Sequence, residues 1–306
     1  MDMTAPLQRL RTDNTSGALA LADLALDMLA AFVGQETAFQ PAAFRKALEA
    51  FVGAIIIAQP SMAVLLNLAQ QVLQACTGPE ATCREQVQGC LAAFRHELHT
   101  SLQRLCQQAL PLFPPQATVL TYSNSATVIA ALGYAQAQQG VCRVLLSESR
   151  PAYDGRQQAL ALLQQGMQVE FSVDMALCER LPEVDLVLVG ADAVFPHGLV
   201  NKLGTHTLAQ LARLHQVPCY SLCTAHKFLP QQAWALFRIV EHPDDEVWPQ
   251  PPAELIIRNT YFDRTPLELF SGIVHEAGIS TPEAVSRLLQ ACTLAPALQR
   301  LILPQA

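Results

Sequence analysis

The chain has 306 residues, 51% of them hydrophobic and 15% charged, which excludes a disordered protein and is enough to bury the cores of two lobes. A formal charge of -7 with no basic run excludes a protein that grips nucleic acid through its phosphates. The longest apolar segments, such as residues 51–58, fall short of the ~20 residues a membrane helix needs.

Residues 1–11 lack a charged-then-apolar leader, so the expected home is cytoplasmic, without nucleic acid or membrane as partner. Nine scattered cysteines read as reduced thiols serving as small apolar fillers. The close pair Cys219 and Cys223 has no second pair to complete a zinc site, and no metal or other cofactor is expected.

From the start to about residue 112 the pattern is helical. Asn14, Thr15, Ser16 and Gly17 are capping residues before a helix that is apolar around much of its surface, through Leu19, Leu21, Leu24, Leu26, Met28, Leu29 and Phe32. A second helix is predicted over 42–57, and Pro60 with a Ser61 cap opens a third that runs to 75. A fourth, over 79–109, places Val87, Leu91, Phe94, Leu98, Leu102 and Leu105 in one stripe. Pro111, Pro114 and Pro115 mark the boundary between a helical N-terminal domain, 1–112, and a Rossmann-like ligand-binding domain, 113–306.

Beyond Pro115 the period changes. Apolar runs at 117–121, 143–146, 169–173, 186–189 and 217–222 alternate with helix-length segments, which predicts βαβ units and a parallel sheet. The fold class is therefore α/β, a helical N-terminal lobe followed by a Rossmann-like parallel-sheet lobe. A further strand is expected at 254–257, with closing helices around 266–277 and 282–292.

Four strand ends carry polar groups, which is where an open parallel sheet binds ligands. They read Tyr122-Ser123-Asn124-Ser125, Ser147-Glu148-Ser149-Arg150-Pro151, Gly190-Ala191-Asp192 and Thr224-Ala225-His226-Lys227. After Asp192 a short turn with Pro196 and Gly198 is expected to deliver Asn201 and Lys202 to the start of a helix over 204–214. A cation there opposes the helix dipole, so an anion bound beside Lys202 is expected. Asp192 fits two roles, a cap of the turn or an acid/base; His197 is the histidine placed to assist it. His96 and His99, three apart on a charged helix face, read as a solvated pair. No glycine-rich dinucleotide fingerprint follows the first strand.

Gly190-Ala191-Asp192 with Asn201-Lys202-Leu203-Gly204-Thr205, preceded by Glu148-Ser149-Arg150-Pro151 and followed by Pro218 and Lys227-Phe228, resembles one family. It unites methylthioribose-1-phosphate isomerase, ribose-1,5-bisphosphate isomerase and the alpha, beta and delta subunits of initiation factor 2B. The likeness extends to residues 13–18, Pro60-Ser61-Met62 and Asn259-Thr260-Tyr261-Phe262-Asp263-Arg264-Thr265-Pro266. It implies this same two-lobed fold and a homodimer, with Asp192 as one catalytic residue.

The isomerases' catalytic cysteine falls at Ser123, and an arginine that binds phosphate falls at Gln59. A thiol near pKa ~8.5 ionises at modest cost, whereas a serine needs an explicit base. Ser16, Gly17, Asn124, Arg150, Asn201 and Lys202 are the implied substrate-binding residues, although Ser16 and Gly17 also suit a plain helix cap. Two functions stand side by side: an aldose-ketose isomerase for a phosphorylated pentose, and a phosphosugar- or nucleotide-sensing regulatory subunit.

Overall fold

The computed structural model describes residues 4–13, 18–35, 41–77, 80–140 and 143–302. The chain forms two compact units, one of residues 1–100, 226–238 and 289–306, the other of 101–225 and 239–288. No helix among the described residues is long and apolar enough to cross a membrane.

The first unit draws on α1 (Thr4–Thr12), α2 (Ala18–Val33), α3 (Pro41–Ala58), α4 (Ala63–Ala75), the first two-thirds of α5 (Glu80–Ala109) and, near the C-terminus, α11 (Pro296–Ile302). In α2 the side chains of Leu21, Leu26, Leu29 and Phe32 are buried on more than one face, as its unbroken apolar pattern requires. Val87, Leu91, Phe94 and Leu98 form the buried stripe of α5.

Ser61 does not cap α4: its hydroxyl donates to the carbonyl of Arg238, and Met62 is the residue at the cap. The expectation of reduced cysteines is corrected at one point. Cys76, just after α4, and Cys83, in the first turn of α5, form a disulfide across a separation of 7 residues, close enough in sequence for adjacent helix ends to bring the sulfurs together.

The second unit is the sheet lobe. Its strands are β1 (Thr118–Thr121), β2 (Arg143–Ser147), β3 (Gln168–Ser172), β4 (Leu186–Val189), β5 (Ala193–Phe195), β6 (Gly198–Lys202), β7 (Cys219–Leu222), β8 (Phe262–Thr265), β9 (Gly272–His275) and β10 (Gly278–Ser280). Helices α6 (Ala126–Gln139), α7 (Asp154–Gln164), α8 (Asp174–Glu179) and α9 (Thr205–Leu214) provide the crossovers, and α10 (Pro282–Ala291) follows β10.

Seven strands lie in the order β10-β9-β7-β4-β1-β2-β3, all parallel except β10. All four residues of β4 are buried, which explains its unbroken Leu-Val-Leu-Val run. Because β2 and β3 lie on one side of β1 and β4 and β7 on the other, the direction in which strands are added across the sheet reverses between β1 and β4. The crevice at that switch point, outside the carboxyl ends, is where such sheets hold ligands.

Two expectations are corrected here. Residues 254–257 form no strand, since Leu255 and Ile256 are exposed and have no sheet neighbour to satisfy their backbone. Residues 266–277 are not a helix; after a short 3-10 turn at Leu267–Leu269 they form β9. A third finding was not expected at all: β5, β6 and β8 make a small antiparallel sheet.

Candidate functional site

Every site residue described below belongs to the sheet lobe unless stated. After β1 the chain turns sharply, and Ser123 takes a left-handed backbone with φ +69°. Ser149 after β2 and Tyr153 before α7 do the same, each at φ +58°. Non-glycine residues rarely adopt this region, and three of them at adjacent strand ends mean that the surrounding network holds the loops in a costly shape.

That network is on view. The Ser123 N–H donates to the hydroxyl of Ser149 at 2.9 Å, and Asp174, the first residue of α8, takes the rest. Its carboxylate accepts from the Ser147 hydroxyl at 2.6 Å and from the N–H groups of Ser149 and Arg150, each at 2.8 Å. Gln158 ties α7 to the loop after β1, accepting from Ser125 N–H at 2.8 Å and donating to the Thr121 hydroxyl at 3.1 Å. Ser125 caps α6, and Asn124, exposed at the tip, donates to Gln157 at 3.2 Å. Among the described residues no side-chain base is bonded to the Ser123 hydroxyl.

Gly190 follows β4, and a Cβ there would stand 2.6 Å from the Ser125 hydroxyl oxygen and 2.9 Å from its Cβ, so the close approach favours glycine. Asp192 follows, half-buried at the open end of the β5-β6 hairpin. Its N–H donates at 2.8 Å to the carbonyl of Val200, the group that joins Val200 to Asn201. Asp192 and Asn201 are thus brought together by the hairpin rather than by a helix start. His197 lies exposed in the turn at the other end of that hairpin, beyond the full length of β5 from Asp192, which removes it as a helper base.

Lys202 is corrected as well. It ends β6 instead of opening a helix, and the amino terminus of α9 is filled by a carboxylate of the same chain. Asp263 accepts from the N–H groups of Gly204 at 2.7 Å and His206 at 3.1 Å. Burial holds the Asp263 carboxyl above its usual range, against the partial opposing effect of these two N–H bonds. Gly204, at φ +106°, lets the chain pass within van der Waals contact of Tyr122, whose hydroxyl donates to Leu203 at 2.8 Å.

The buried Lys202 ammonium pairs with Asp154, in the first turn of α7, and lies 4.7 Å from the centre of the Tyr261 ring. The Tyr261 hydroxyl donates to Glu246 at 2.6 Å, and His242 stacks on its ring at 3.5 Å. Next to Glu246, the carbonyl of Val247 accepts from Arg150 at 2.8 Å; Arg150 also donates to the Tyr153 hydroxyl at 2.6 Å and stacks on that ring. Tyr153 precedes Asp154, so the contacts close into a circuit running from Arg150 through Asp154, Lys202, Tyr261 and Glu246 back to Arg150.

Of the residues singled out from sequence, Ser123, Asn124, Arg150, Asp192, Asn201 and Lys202 all stand at or beside the carboxyl-end crevice. Ser16 and Gly17 lie outside the described residues. Gln59, in the helical unit, is occupied by its own fold: its amide donates to the carbonyls of Leu10 at 2.7 Å and Asp13 at 3.2 Å, closing the end of α1. Sequence reasoning missed Asp154, Asp174, Glu246 and Tyr261. Aspartates at helix starts read as ordinary caps, and only the third dimension supplies their partners.

Comparison with known proteins places these observations. The sequence profile of the initiation factor 2 subunit family matches residues 14–282. The chain is 28% identical over 240 residues to the ribose 1,5-bisphosphate isomerase of Methanocaldococcus jannaschii, covering 77% of each chain. It is 29% identical over 318 aligned positions to the methylthioribose-1-phosphate isomerase of Chloroflexus aurantiacus, covering 94% of this chain and 90% of that one. Among solved structures, a translation initiation factor eIF-2B of Pyrococcus horikoshii has the same fold, with a TM-score of 0.78 at 24% identity over 94% of this chain and 98% of that one.

Proposed function

The chain belongs to the initiation factor 2 subunit family, and on that premise we propose that it is a sugar-phosphate protein of the aldose-ketose isomerase type, acting on or binding a ribose with phosphate on C1. The observation that carries this reading is the convergence of the strained Ser123 loop, the Arg150 loop and the Asp192–Asn201 hairpin on one rim of the sheet. A phosphate on C1 blocks simple ring opening, so a proton must reach the ring oxygen before hydrogen moves between C2 and C1. Asp192 is assigned the proton transfers, with Ser123 at the reacting carbons and Asn201 and Lys202 orienting the opened chain.

Arg150 is assigned the phosphate, because its partners among the described residues, Tyr153, Val247 and the backbone contact to Asp174, leave the guanidinium charge uncompensated. Ser16, Gly17 and Asn124 complete the proposed binding set. A second reading, a sensor that binds the sugar without converting it, draws on the absence of a base at Ser123 among the described residues.

One series separates the two. Turnover of ribose 1,5-bisphosphate and of methylthioribose 1-phosphate is measured for the wild type, Ser123→Cys and Ser123→Cys with Asp192→Asn. The isomerase reading expects the thiol to raise turnover by roughly 10²–10⁴ and the second change to abolish the gain. Tight calorimetric binding without turnover in any variant selects the sensor, and binding of neither sugar phosphate sinks both.

A further inference from the structure

Two cations face the proposed ligand region, and the structure treats them differently. Arg150 meets a phenol hydroxyl, a carbonyl oxygen and an aromatic face, all neutral. Lys202 meets a carboxylate: its side chain is 6% exposed and pairs with Asp154, whose side chain is 30% exposed. The ammonium is further covered by the rings of Tyr261 at 4.7 Å and Phe262 at 5.8 Å. A ligand arriving here therefore meets the edge of a carboxylate before it meets the cation.

We propose that Asp154 is a positioning and specificity-determining residue that turns the Lys202 end of the pocket against phosphate and toward a hydroxyl-bearing part of the ligand. A lysine with its charge free binds a dianionic phosphate well, since each charge-assisted bond is about twice as strong as a neutral one. Once paired, the ammonium and carboxylate present a donor and an acceptor side by side with no net charge. A hydroxyl, which donates and accepts and carries no charge, satisfies both; a phosphate, whatever proton it keeps, brings negative charge against the carboxylate and is repelled.

The pairing also holds Lys202 in place, because the ammonium is nearly dry and an uncompensated charge there would be costly. This inference rests on the reading that the pocket takes a phosphorylated ribose. It assigns the phosphate to the Arg150 end and the sugar hydroxyls to the Lys202 end.

Calorimetric titration of the full chain with inorganic phosphate and with ribose 1,5-bisphosphate tests it. Asp154→Asn is expected to bind inorganic phosphate roughly tenfold more tightly than wild type, a gain that packing damage does not produce. Asp154→Glu, which keeps the charge, restores wild-type affinity, and adding Lys202→Gln to Asp154→Asn removes the gain. The double variant, which buries no charge, leaves phosphate binding within about threefold of wild type, while Arg150→Gln weakens it roughly tenfold or more.

Unchanged phosphate affinity in a folded Asp154→Asn, or a tenfold loss from Asp154→Asn with Lys202→Gln, overturns the assignment. If Asp154→Asn alone does not fold, the double variant, which buries no charge, decides. A wild type that takes inorganic phosphate but not ribose 1,5-bisphosphate sinks the sugar-phosphate reading, and the Asp154→Asn comparison still stands or falls by itself.

Discussion

Asp174 accepts three hydrogen bonds from the single turn that presents Arg150, and two of its donors belong to residues with no exposure, Ser147 and Ser149. Asp174→Ala would leave a buried hydroxyl and buried N–H groups without partners while the left-handed backbones of Ser123 and Ser149 lose their support. The expected cost is about 2–4 kcal/mol, read as a shift of the urea midpoint at constant slope. Affinity for a phosphorylated ribose should fall with it, because the Arg150 N–H is fixed by the same carboxylate. An unchanged midpoint would mean that the turn is held by packing instead. Asp174 also shows what a sequence conceals: an aspartate opening a six-residue helix looks like a cap, and nothing local says that its partners lie about 25 residues earlier. Asp192, Arg150 and Ser123 were readable for the opposite reason. Each follows an apolar run that must be a buried strand, and a polar residue there has few places to be except the rim.

At the level of elements, the parallel strands were readable because burial on both faces leaves unbroken apolar runs, whereas the hairpins were not. The segment 266–277 reads as a closing helix in the sequence; in the structure it holds β9, and the Gly278 backbone at φ +139° opens β10, which pairs back on it. Residues 254–257 deceived in the other direction, an apolar run that is exposed rather than paired. The β9-β10 hairpin carries a prediction of its own. The Ala277 N–H donates to Nδ1 of His275 at 3.3 Å, which leaves the ring proton on Nε2, 2.9 Å from the Ser280 hydroxyl. This arrangement uses the neutral imidazole, and burial lowers the pKa of His275 below its ordinary value despite the opposing pull of Glu276. Burial shifts His242, stacked on Tyr261, in the same direction. Between the lowered folded value and the unfolded value near ~6.5, the unfolded chain binds more protons. Stability from these residues is therefore complete above about pH 6.5 and is lost as pH falls through the folded pKa. Thermal melts from about pH 7 down to about pH 5 should show this loss in the wild type and less of it in His275→Gln; parallel curves would remove His275 from the account.

For the whole molecule, the question is what covers the apolar surface of residues 247–256. Trp248 is 51% exposed, Leu255 45% and Ile256 81%, in a segment that also carries Val247, the acceptor of Arg150. Scattered exposed apolar residues need no explanation, but three large ones in one proline-rich segment make a surface that monomers rarely leave open. A net charge of -7 opposes non-specific association without hiding such a patch. The expected cover is a second copy across a two-fold axis, since the same patch on both partners is self-complementary in its apolar character. The dimer implied by the resemblance is then expected to form through this segment. Of the flanking residues, Asn259 and Thr265 are buried within their own lobe and would brace the interface from beneath instead of meeting the partner. Light scattering at micromolar concentration should give twice the chain mass for the wild type. Ile256→Asp places a charge where an interface core must be desolvated, and the loss of roughly 2 kcal/mol or more typical of a central interface residue should move it toward monomer. Because Ile256 is exposed within the chain, its replacement should leave the monomer's fold, followed by circular dichroism, within about 0.5 kcal/mol of wild type. A wild-type monomer, or an Ile256→Asp dimer of unchanged affinity, would place the interface elsewhere or remove it. Since the Val247 carbonyl is bonded to Arg150, a dimer through this segment would also hold the residue proposed to take the phosphate, so phosphosugar affinity in the wild type should weaken on dilution below the dimer dissociation constant.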